Sequence, residues 1–526
     1  MEQNRLLLEI ENEMAGTGMT RKRMNAFGEL SCKTAQVVLL LCSLSVALRA
    51  QTFTALCGLY PGYDVMAPLI QATDGNLYGT AYDPYGTIFR VTLDGTLTTI
   101  YSFCSNPDCT DGEFPSAALV QGKEGGFYGV TSMGGTNHTP QNYAAGTIFK
   151  VTPSGNLTTL YNFCSLAGCT DGYDPIAGLV QPADGLFYGV TTSGGANFST
   201  TLPFGGGTVF KITANGKLTT VYSFCPKTGC SDGYSPIGGL LQTANGNLYG
   251  TTAAGGANNG GTVFKITPSG TLTTLYSFCA KANCVDGQDP NGALVRGSDG
   301  AFYGTTASGG LSDQPCNLDG CGTVFRVTET GSLTTLYSFC SQVGCTDGFS
   351  PNGNLVAATD GAFYGTTGSG GAFNAGTIFK ISSEGVAATL YSFCYPGTSY
   401  CTGEEWSGGA YPSAGLVQDT NGDLYGTTAY AGEGPGVGVV FSLSAGLGAF
   451  VEPQPTSGKA GETVKILGDG LTGATSVTFN GTKAVFTVAS GSLITTTVPA
   501  GATNGEVEVT TPGGTLSSNV PFLVRQ

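Results

Sequence analysis

The stretch at residues 248–279, LYGTTAAGGANNGGTVFKITPSGTLTTLYSFC, recurs with small changes along most of the chain, and this repetition constrains the fold more than any other feature. Three runs rich in Val, Ile, Thr, Tyr and Phe predict β-strands, at 248–252, 261–267 and 271–278. Pro268-Ser269-Gly270 predicts a tight turn between the last two runs, with glycine supplying the positive φ. A longer loop of small residues joins the first two runs. The chain is therefore predicted to be a repeat protein.

A Tyr-Gly signature marks the successive units, which are spaced 50 to 61 residues apart. A Gly-x-x-Phe strand follows each signature, and a short apolar run precedes it through turns such as Asp184-Gly185 and Asn245-Gly246, a strong hairpin signal. Each unit therefore has four predicted antiparallel strands. We predict an all-β, seven-bladed β-propeller of four-stranded blades. A β-solenoid is the alternative, but its coils are shorter and lack these hairpins. The signature tyrosines are Tyr78, Tyr128, Tyr188, Tyr249, Tyr303, Tyr364 and Tyr425.

The two ends of the repeat region predict how the ring closes. Residues 52–57 copy the fourth-strand pattern LTTLYSFC in shortened form, whereas the last unit has only a degenerate fourth strand at 446–450. We therefore expect residues 52–56 to pair beside the strand near 437–443. Such a strand exchange would close the ring and remove the exposed sheet edges that invite aggregation.

The repeat also carries a family resemblance. The pattern YGTTxxGGxxxxGTVFKIxxxGxLTTLYSF recurs at 188–224, 249–278 and 303–339, and it resembles the GloVer-type tandem repeat of bacterial exported proteins. The resemblance covers about residues 52–450 and implies a propeller-like protein that is secreted or held at the cell surface. The family carries no assigned chemistry, so the resemblance implies no catalytic residues.

From Val451 onwards the composition changes, because cysteine, tyrosine and the repeat signature are lost. Pro453 and Pro455 predict a stiff linker, and alternating strands follow it. The segments GETVKILGDGL and VTFNGTKAVFTVAS resemble the IPT/TIG family, which implies a small Ig-like β-sandwich used as an accessory or adhesion module. The predicted domains are a leader at 1–50, the propeller at 51–450 and the IPT/TIG domain at 451–526. The predicted strands of this domain are Glu462–Leu467, Thr475–Phe479, Ala484–Val488, Leu493–Val498, Glu506–Thr511 and Leu516–Val524.

The first 50 residues predict export. Basic residues at 21–23 are followed by an apolar run at 37–48 and by the small residue Ala50, which is the pattern of a signal peptide. An N-terminal membrane anchor is the alternative. We expect a monomeric protein, secreted or at the cell surface, with no membrane span in the mature chain.

The cysteines agree with export. Of the 17 cysteines, fourteen lie in close pairs that predict local disulfides, and Cys57 is predicted to be a free thiol. The spacing is mostly Cys-x4-Cys and the only histidine is His138, which argues against zinc, so we expect no metal and no cofactor. The predicted pairs are Cys104/Cys109, Cys164/Cys169, Cys225/Cys230, Cys279/Cys284, Cys316/Cys321, Cys340/Cys345 and Cys394/Cys401.

The net charge of −15 excludes the usual charge pattern of proteins that bind nucleic acid or anionic membranes. We therefore expect neither partner. A glycan or another cell-surface protein is the expected partner instead.

In a four-stranded meander the connections alternate between two faces. We call the face with the cysteine loops and the Gly-Gly loops the disulfide-loop face, and the face with the tight turns the turn face. All loop-length variation falls on the disulfide-loop face, so ligand binding is predicted there.

The cysteine loop after Cys394 differs most, and it contains Glu404, Glu405 and the only tryptophan, Trp406, with Tyr411 close behind. An exposed indole favours sugar stacking. Paired acids could serve a glycoside hydrolase or lyase, but adjacent acids on one strand point apart. We therefore predict a non-catalytic binding or adhesion protein, with these four residues at the site. A polysaccharide-active enzyme and a structural cell-envelope protein are the alternatives, and a plain surface loop is the simplest explanation of these residues.

An aspartate before glycine follows each of five cysteine loops. A ring of carboxylates could bind Ca²⁺, but one acid per blade does not converge on one ion, so we predict that each acid closes its own loop. The five are Asp111, Asp171, Asp232, Asp286 and Asp347.

Overall fold

The computed structural model describes residues 51–525 except 60–64, 66, 83, 183, 198–201, 227, 244, 311–315, 317–319, 396–408 and 431–437. The predicted signal peptide lies outside the described residues. Within them, the regular structure is β-strand apart from one-turn 3-10 helices in the cysteine loops. No helix in this described part has the length and apolar character needed to cross a membrane. The short helices are Pro107–Cys109, Ala167–Cys169, Thr228–Cys230, Ala282–Cys284 and Val343–Cys345.

The described repeat region forms seven antiparallel sheets, which we number 1 to 7 in chain order. The predicted all-β class and four-stranded units are confirmed, although the inner strand of sheet 3 is reduced to one bridge between Val180 and Tyr188. The inner strands are Ile70–Gln71, Val120–Gln121, Leu241–Gln242, Val295–Arg296, Val356–Ala357 and Val417–Gln418. The second strands are Leu77–Ala81, Phe127–Thr131, Phe187–Thr191, Leu248–Thr252, Phe302–Thr306, Phe363–Thr367 and Leu424–Thr428. The third strands are Thr87–Val91, Thr147–Val151, Thr208–Ile212, Thr262–Ile266, Thr323–Val327, Thr377–Ile381 and Val439–Ser444. The outer strands are Leu97–Ser102, Leu157–Asn162, Leu218–Ser223, Leu272–Ser277, Leu333–Ser338 and Ala387–Ser392, with Thr52–Gly58 in sheet 7.

Sheet 7 is closed by the N-terminal strand, as the sequence predicts. Thr52–Gly58 pairs antiparallel with Val439–Ser444, and residues 446–450 form no strand. The ring of Phe53 stacks on Tyr391 of sheet 6 with 3.9 Å between centroids. The first and last sheets are also joined by two hydrogen bonds between Gln71 and Thr420, of 2.9 and 3.1 Å.

The repeat signature is explained by packing between the sheets. Phe210 lies opposite Gly189 on the neighbouring strand, and a Cβ atom on Gly189 would lie 2.6 Å from the Phe210 ring. Tyr128 of sheet 2 stacks on Phe187 of sheet 3 with centroids 4.1 Å apart. Each fully buried ring of this kind contributes about 2 kcal/mol to folding. Neighbouring sheets share such hydrophobic clusters all the way round, including sheets 7 and 1, so the sheets form a closed ring.

Hydrogen bonds between loops confirm which connections share a face. In sheet 3, the backbone N–H of Gly195 in the Gly-Gly loop donates to the carbonyl of Cys169 at 3.0 Å. The same bond recurs in the neighbouring sheets, so the Gly-Gly loops and the cysteine loops together form the disulfide-loop face. The five bonds join Gly135 to Cys109, Gly195 to Cys169, Gly256 to Cys230, Gly310 to Cys284 and Gly371 to Cys345.

The C-terminal region is a sandwich of two four-stranded sheets with an added two-stranded parallel pair. Its core contains Val464, Ile466, Phe479, Ile494 and Phe522. One sheet holds Val451–Gln454, Thr463–Gly468, Leu493–Thr497 and Phe486–Ser490, the other Thr482–Lys483, Ser476–Phe479, Val507–Thr511 and Gly514–Ser517, and the pair is Ser457–Gly458 with Leu523–Val524.

Two predictions for this region were wrong. The predicted linker at Pro453 and Pro455 is partly a strand, because Val451–Gln454 pairs with Thr463–Gly468 at the edge of its sheet. An edge strand tolerates proline, since one side of the strand needs no backbone donor. The predicted strand at 516–524 is interrupted between Ser517 and Leu523. Pro521 lies in this gap and cannot donate to a strand ladder.

Candidate functional site

Of the four residues predicted to bind a ligand, Tyr411 is the one that the structure describes. Glu404, Glu405 and Trp406 lie outside the described residues, and their roles stay predictions. The geometry of the candidate site therefore starts from Tyr411 and its neighbours on the disulfide-loop face.

The backbone of Tyr411 is fixed by the architecture of the repeat. Its φ of 55° lies in the left-handed region, which is uncommon for a bulky residue. Its N–H donates to Ala375 at 2.8 Å, and its carbonyl accepts from Ala429 at 3.1 Å. Asp174 has the same φ sign and the equivalent two bonds in sheet 3. Phe114, Ser235, Asp289 and Ser350 share this left-handed backbone, so in these described repeats it does not depend on the side chain.

Tyr411 lies in a cluster of three tyrosine rings, which we call the tyrosine cluster (Tyr395, Tyr411 and Tyr430). The ring centroids are 5.7 Å apart for Tyr411 and Tyr430, 5.9 Å for Tyr395 and Tyr411, and 6.2 Å for Tyr395 and Tyr430. The ring planes are inclined by 49° to 84° to one another. Tyr395 is 38% exposed and Tyr430 is 37% exposed. The cluster therefore presents aromatic surface to solvent.

The three positions hold smaller residues in most other repeats. The bridge between Ala410 and Tyr430 corresponds to the bridges between Phe349 and Ser369 and between Tyr173 and Ser193, which aligns the loops residue by residue. The residues equivalent to Tyr395, which follow the first cysteine of each loop, are Ser105, Ser165, Pro226, Ala280 and Ser341. Those equivalent to Tyr411 are Phe114, Asp174, Ser235, Asp289 and Ser350, and those equivalent to Tyr430 are Met133, Ser193, Ala254, Ser308 and Ser369. Sequence reasoning missed Tyr395 and Tyr430, although aligning the repeats would have singled them out.

The five aspartates after the cysteine loops close their own loops. The fully buried Asp171 carboxylate accepts hydrogen bonds from the Tyr161 hydroxyl at 2.8 Å and from the backbone N–H groups of Ser165 and Leu166 at 2.9 and 3.2 Å. Burial, together with the bond to Asp171, raises the pKa of Tyr161 to about 12. These acids serve the scaffold and do not converge on a ligand. The tyrosine–aspartate pairs are Tyr101–Asp111, Tyr161–Asp171, Tyr222–Asp232, Tyr276–Asp286 and Tyr337–Asp347.

Six of the predicted cysteine pairs form disulfides in the structure. For the remaining pair, Cys394/Cys401, Cys401 lies outside the described residues. Cys57 is unpaired, and burial raises the pKa of its thiol to about 11. Local disulfides of this kind are typical of a protein that folds in an oxidising compartment. The six pairs are Cys104/Cys109, Cys164/Cys169, Cys225/Cys230, Cys279/Cys284, Cys316/Cys321 and Cys340/Cys345.

Two groups among the described residues have the donor atoms to hold a metal ion. One consists of the four cysteines of two neighbouring disulfides, Cys316/Cys321 and Cys340/Cys345, and the other of Cys104, Cys109 and Glu113. The spacing of the cysteines along the chain did not predict the first group, because it combines residues from two separate loops.

The turn face offers a shallow cleft of about 410 Å³ between sheets 1 and 2. Its two carboxylates already have partners: the Tyr78 hydroxyl donates to Asp74 at 2.9 Å, and Lys150 pairs with Glu124 at 2.9 Å. Pairs of the same kind recur in other sheets, so this cleft belongs to the repeated scaffold.

Two family models match the chain, one in the repeat region and one in the C-terminal region. The family model of the Gloeobacter/Verrucomicrobia repeat matches residues 51–230 and 198–405, which together span more than half of the chain. The chain belongs to this repeat family. An IPT/TIG domain model matches residues 451–524 of this repeat protein. No curated protein is significantly similar to it.

Solved structures with a similar fold include proteins of different chemistry. A fungal alcohol oxidase of the AA5 family has 12% identity and a TM-score of 0.48, covering 90% of this chain and 99% of its own. The GH74 enzyme of Niastella koreensis has 15% identity and a TM-score of 0.47, covering 89% and 66%. The WD40 β-propeller domain of Doa1 has 11% identity and a TM-score of 0.43, covering 74% and 97%. At these values the likenesses carry no argument about the function of this chain.

Proposed function

We propose that this protein is an exported, non-catalytic binding or adhesion protein that takes a glycan on its disulfide-loop face. The tyrosine cluster is the observation that carries the proposal. Tyrosine combines a large apolar ring face with a polar hydroxyl, and sugars present both C–H surfaces and hydroxyl groups to such side chains.

The scaffold supports the proposal. The left-handed backbone at Tyr411 and its two backbone hydrogen bonds recur in repeats whose equivalent residue is Asp174 or Ser350. The fold therefore does not require an aromatic residue there. A rigid ring that presents variable loops is also the usual arrangement of a binding protein.

The disulfides and the predicted signal peptide at 1–50 support export to the cell surface or the medium. The C-terminal IPT/TIG domain fits an accessory role in adhesion. Trp406, Glu404 and Glu405 belong to the same loop region by sequence, and we propose that Trp406 adds a stacking surface next to the tyrosine cluster.

The test is a glycan array with the purified protein, followed by calorimetry with any glycan that binds. Tyr411→Ser and Tyr430→Ser copy Ser350 and Ser369 of sheet 6, so each variant places a residue that the repeat already accommodates. Each should weaken binding about tenfold, the usual scale for losing a central aromatic contact. Asp184→Asn on the turn face copies Asn245 of sheet 4 and should bind like the unmodified protein.

Failure of all glycans to bind, or unchanged affinity in both tyrosine variants, would contradict the proposal. Release of shorter products from a bound polysaccharide would replace it with the enzymatic alternative.

A further inference from the structure

Two disulfides of sheet 5 lie side by side on the disulfide-loop face. Cys316–Cys321 belongs to the Gly-Gly loop and Cys340–Cys345 to the cysteine loop that follows. The four Sγ atoms all lie within 4.8 Å of one another. Among the described residues, no other group of metal-binding side chains contains four sulfurs.

Backbone hydrogen bonds anchor two of these cysteines independently of the disulfides. The Cys345 N–H donates to Gln342 at 2.9 Å, and its carbonyl accepts from Gly348 and Gly371, each at 2.9 Å. The Cys321 carbonyl accepts from Ser350 at 2.9 Å. These two cysteines are therefore anchored whether or not their sulfurs are oxidised.

The cysteine loop is closed a second time by a carboxylate. Asp347 accepts from the Tyr337 hydroxyl at 2.7 Å and from the backbone N–H groups of Ser341 and Gln342 at 2.9 and 3.3 Å. The Cys340 N–H also donates to Gly348 at 3.1 Å. We therefore expect reduction to leave Cys321, Cys340 and Cys345 facing one another, with Cys316 supplied by the longer Gly-Gly loop.

We propose that these four cysteines, once reduced, form a tetrathiolate site for a soft divalent cation such as Zn²⁺. In a tetrahedral zinc site the metal–sulfur bond is about 2.3 Å, so neighbouring sulfurs are about 3.8 Å apart. This distance is shorter than the 4.8 Å within which the four Sγ atoms already lie. Cys321 and Cys345 are buried, at 0% and 2% exposed, whereas Cys316 and Cys340 are partly exposed. The pocket is thus sheltered on one side and open to an ion and a reductant on the other.

The site and the disulfides are alternative states of the same atoms. Each disulfide takes two electrons and two protons from a dithiol, which is itself oxidised to a disulfide, and yields two thiols. The cation then displaces four protons and forms four metal–sulfur bonds. A small-molecule disulfide reverses the change: two equivalents each take two electrons from a pair of thiolates and two protons from water and become thiols, the two S–S bonds re-form, and the metal is released.

The experiment uses the full chain, reduced with a dithiol, freed of reductant without oxygen, and incubated with Zn²⁺ alone. Metal retained after desalting is measured by elemental analysis, and Cd²⁺ is used in parallel because its thiolate absorption reports sulfur ligation. Cys316→Ser/Cys321→Ser should retain one metal ion per chain fewer than the unmodified protein. Cys279→Ser/Cys284→Ser removes a disulfide of the same spacing that has no neighbouring pair, and should retain as much metal as the unmodified protein.

Three results would overturn the proposal. The first is that the reduced protein retains no metal, and the second is that both double variants retain the same amount. The third is that the reduced chain is unfolded by circular dichroism before metal is added, because the site requires the loops to remain in place.

Discussion

The turn face and the disulfide-loop face are built from the same repeat, yet they use their carboxylates differently. On the turn face, Asp299 is partly exposed, accepts from the Tyr303 hydroxyl at 3.1 Å and pairs with Arg326 at 2.6 Å. Partial burial opposes its ionisation, but the pairing with Arg326 prevails and lowers the pKa of Asp299. On the disulfide-loop face, Asp286 is fully buried and is bound by Tyr276 and by two backbone N–H groups.

The difference shows on which face the acid can be replaced by another residue. Asn245 and Asn421 replace the turn-face acid in sheets 4 and 7, because an exposed turn needs an acceptor rather than a charge. The five described loops with this motif all keep aspartate, since a buried carboxylate there satisfies several donors at once. The disulfide-loop face therefore has a rigid base, and its variable residues lie above it.

The largest expected effect comes from removing one buried carboxylate. Asp171→Ala leaves the Tyr161 hydroxyl and two backbone N–H groups without their acceptor, and should lower the free energy of unfolding by about 4 kcal/mol. The measurement is urea unfolding followed by fluorescence. Asp184→Ala on the exposed turn is the matched control and should cost less than about 1 kcal/mol. Equal losses for the two variants would contradict the contrast between the faces.

Asp419 is an exception on the turn face, where the other acids are at least partly exposed. It is fully buried at the position of Ala72 in sheet 1 and Ala358 in sheet 6. Burial, assisted by repulsion from Asp469, Asp423 and Glu452, raises the pKa of Asp419 to about 7. The pKa of Asp419 is higher in the folded protein than in the unfolded chain. Its contribution to the free energy of unfolding is therefore fully present below about pH 4 and is lost as the pH rises through about 7.

Asp419→Ala should therefore abolish this part of the pH dependence and raise stability at pH 8 by about 3 kcal/mol relative to the unmodified chain. Unfolding midpoints at pH 4, 5.5 and 8 measure the difference between the two proteins. If the unfolding midpoints of the two proteins changed in parallel with pH, the Asp419 carboxyl would titrate as an ordinary exposed acid.

The next effect concerns binding on the disulfide-loop face. Trp406→Ala should weaken the affinity for a glycan found on the array by about 2 kcal/mol, because an aromatic anchor commonly contributes this much. Calorimetry measures the affinity, and Asp184→Asn is the control on the turn face. Loss of binding in the control, without unfolding, would move the site to the other face.

The smallest effect is expected for a turn-face ion pair. Lys380 pairs with Asp360 at 2.7 Å, and both side chains are partly exposed. Lys380→Met should change the free energy of unfolding by about 0.5 kcal/mol, and the change should shrink at high salt. A loss as large as that of Asp171→Ala would mean that the turn face is as sensitive as the other.

Much of the architecture could be predicted from the sequence because it depends on local chemistry. Alternating strands, Asp-Gly turns and the Gly-x-x-Phe pattern specify each unit, and the shortened copy at 52–57 specifies how the last sheet is completed. The cysteine pairs are five residues apart in the six described disulfides, so a single loop brings each pair together. The start of the C-terminal domain was predicted less well, because Pro453 is compatible with a linker and with an edge strand, and pairing with Thr463–Gly468 decides between them.

The candidate sites were decided by the tertiary structure. Tyr395 and Tyr411 lie at the two ends of the connection between sheets 6 and 7, and Tyr430 lies in the Gly-Gly loop of sheet 7. Nothing in their spacing along the chain predicts that their rings meet within about 6 Å. The same holds for the Cys316/Cys321 and Cys340/Cys345 pairs, each of which predicts only its own disulfide. Local sequence determines how each loop closes and on which face it lies, whereas the packing of neighbouring sheets and the backbone bonds between loops determine which side chains meet.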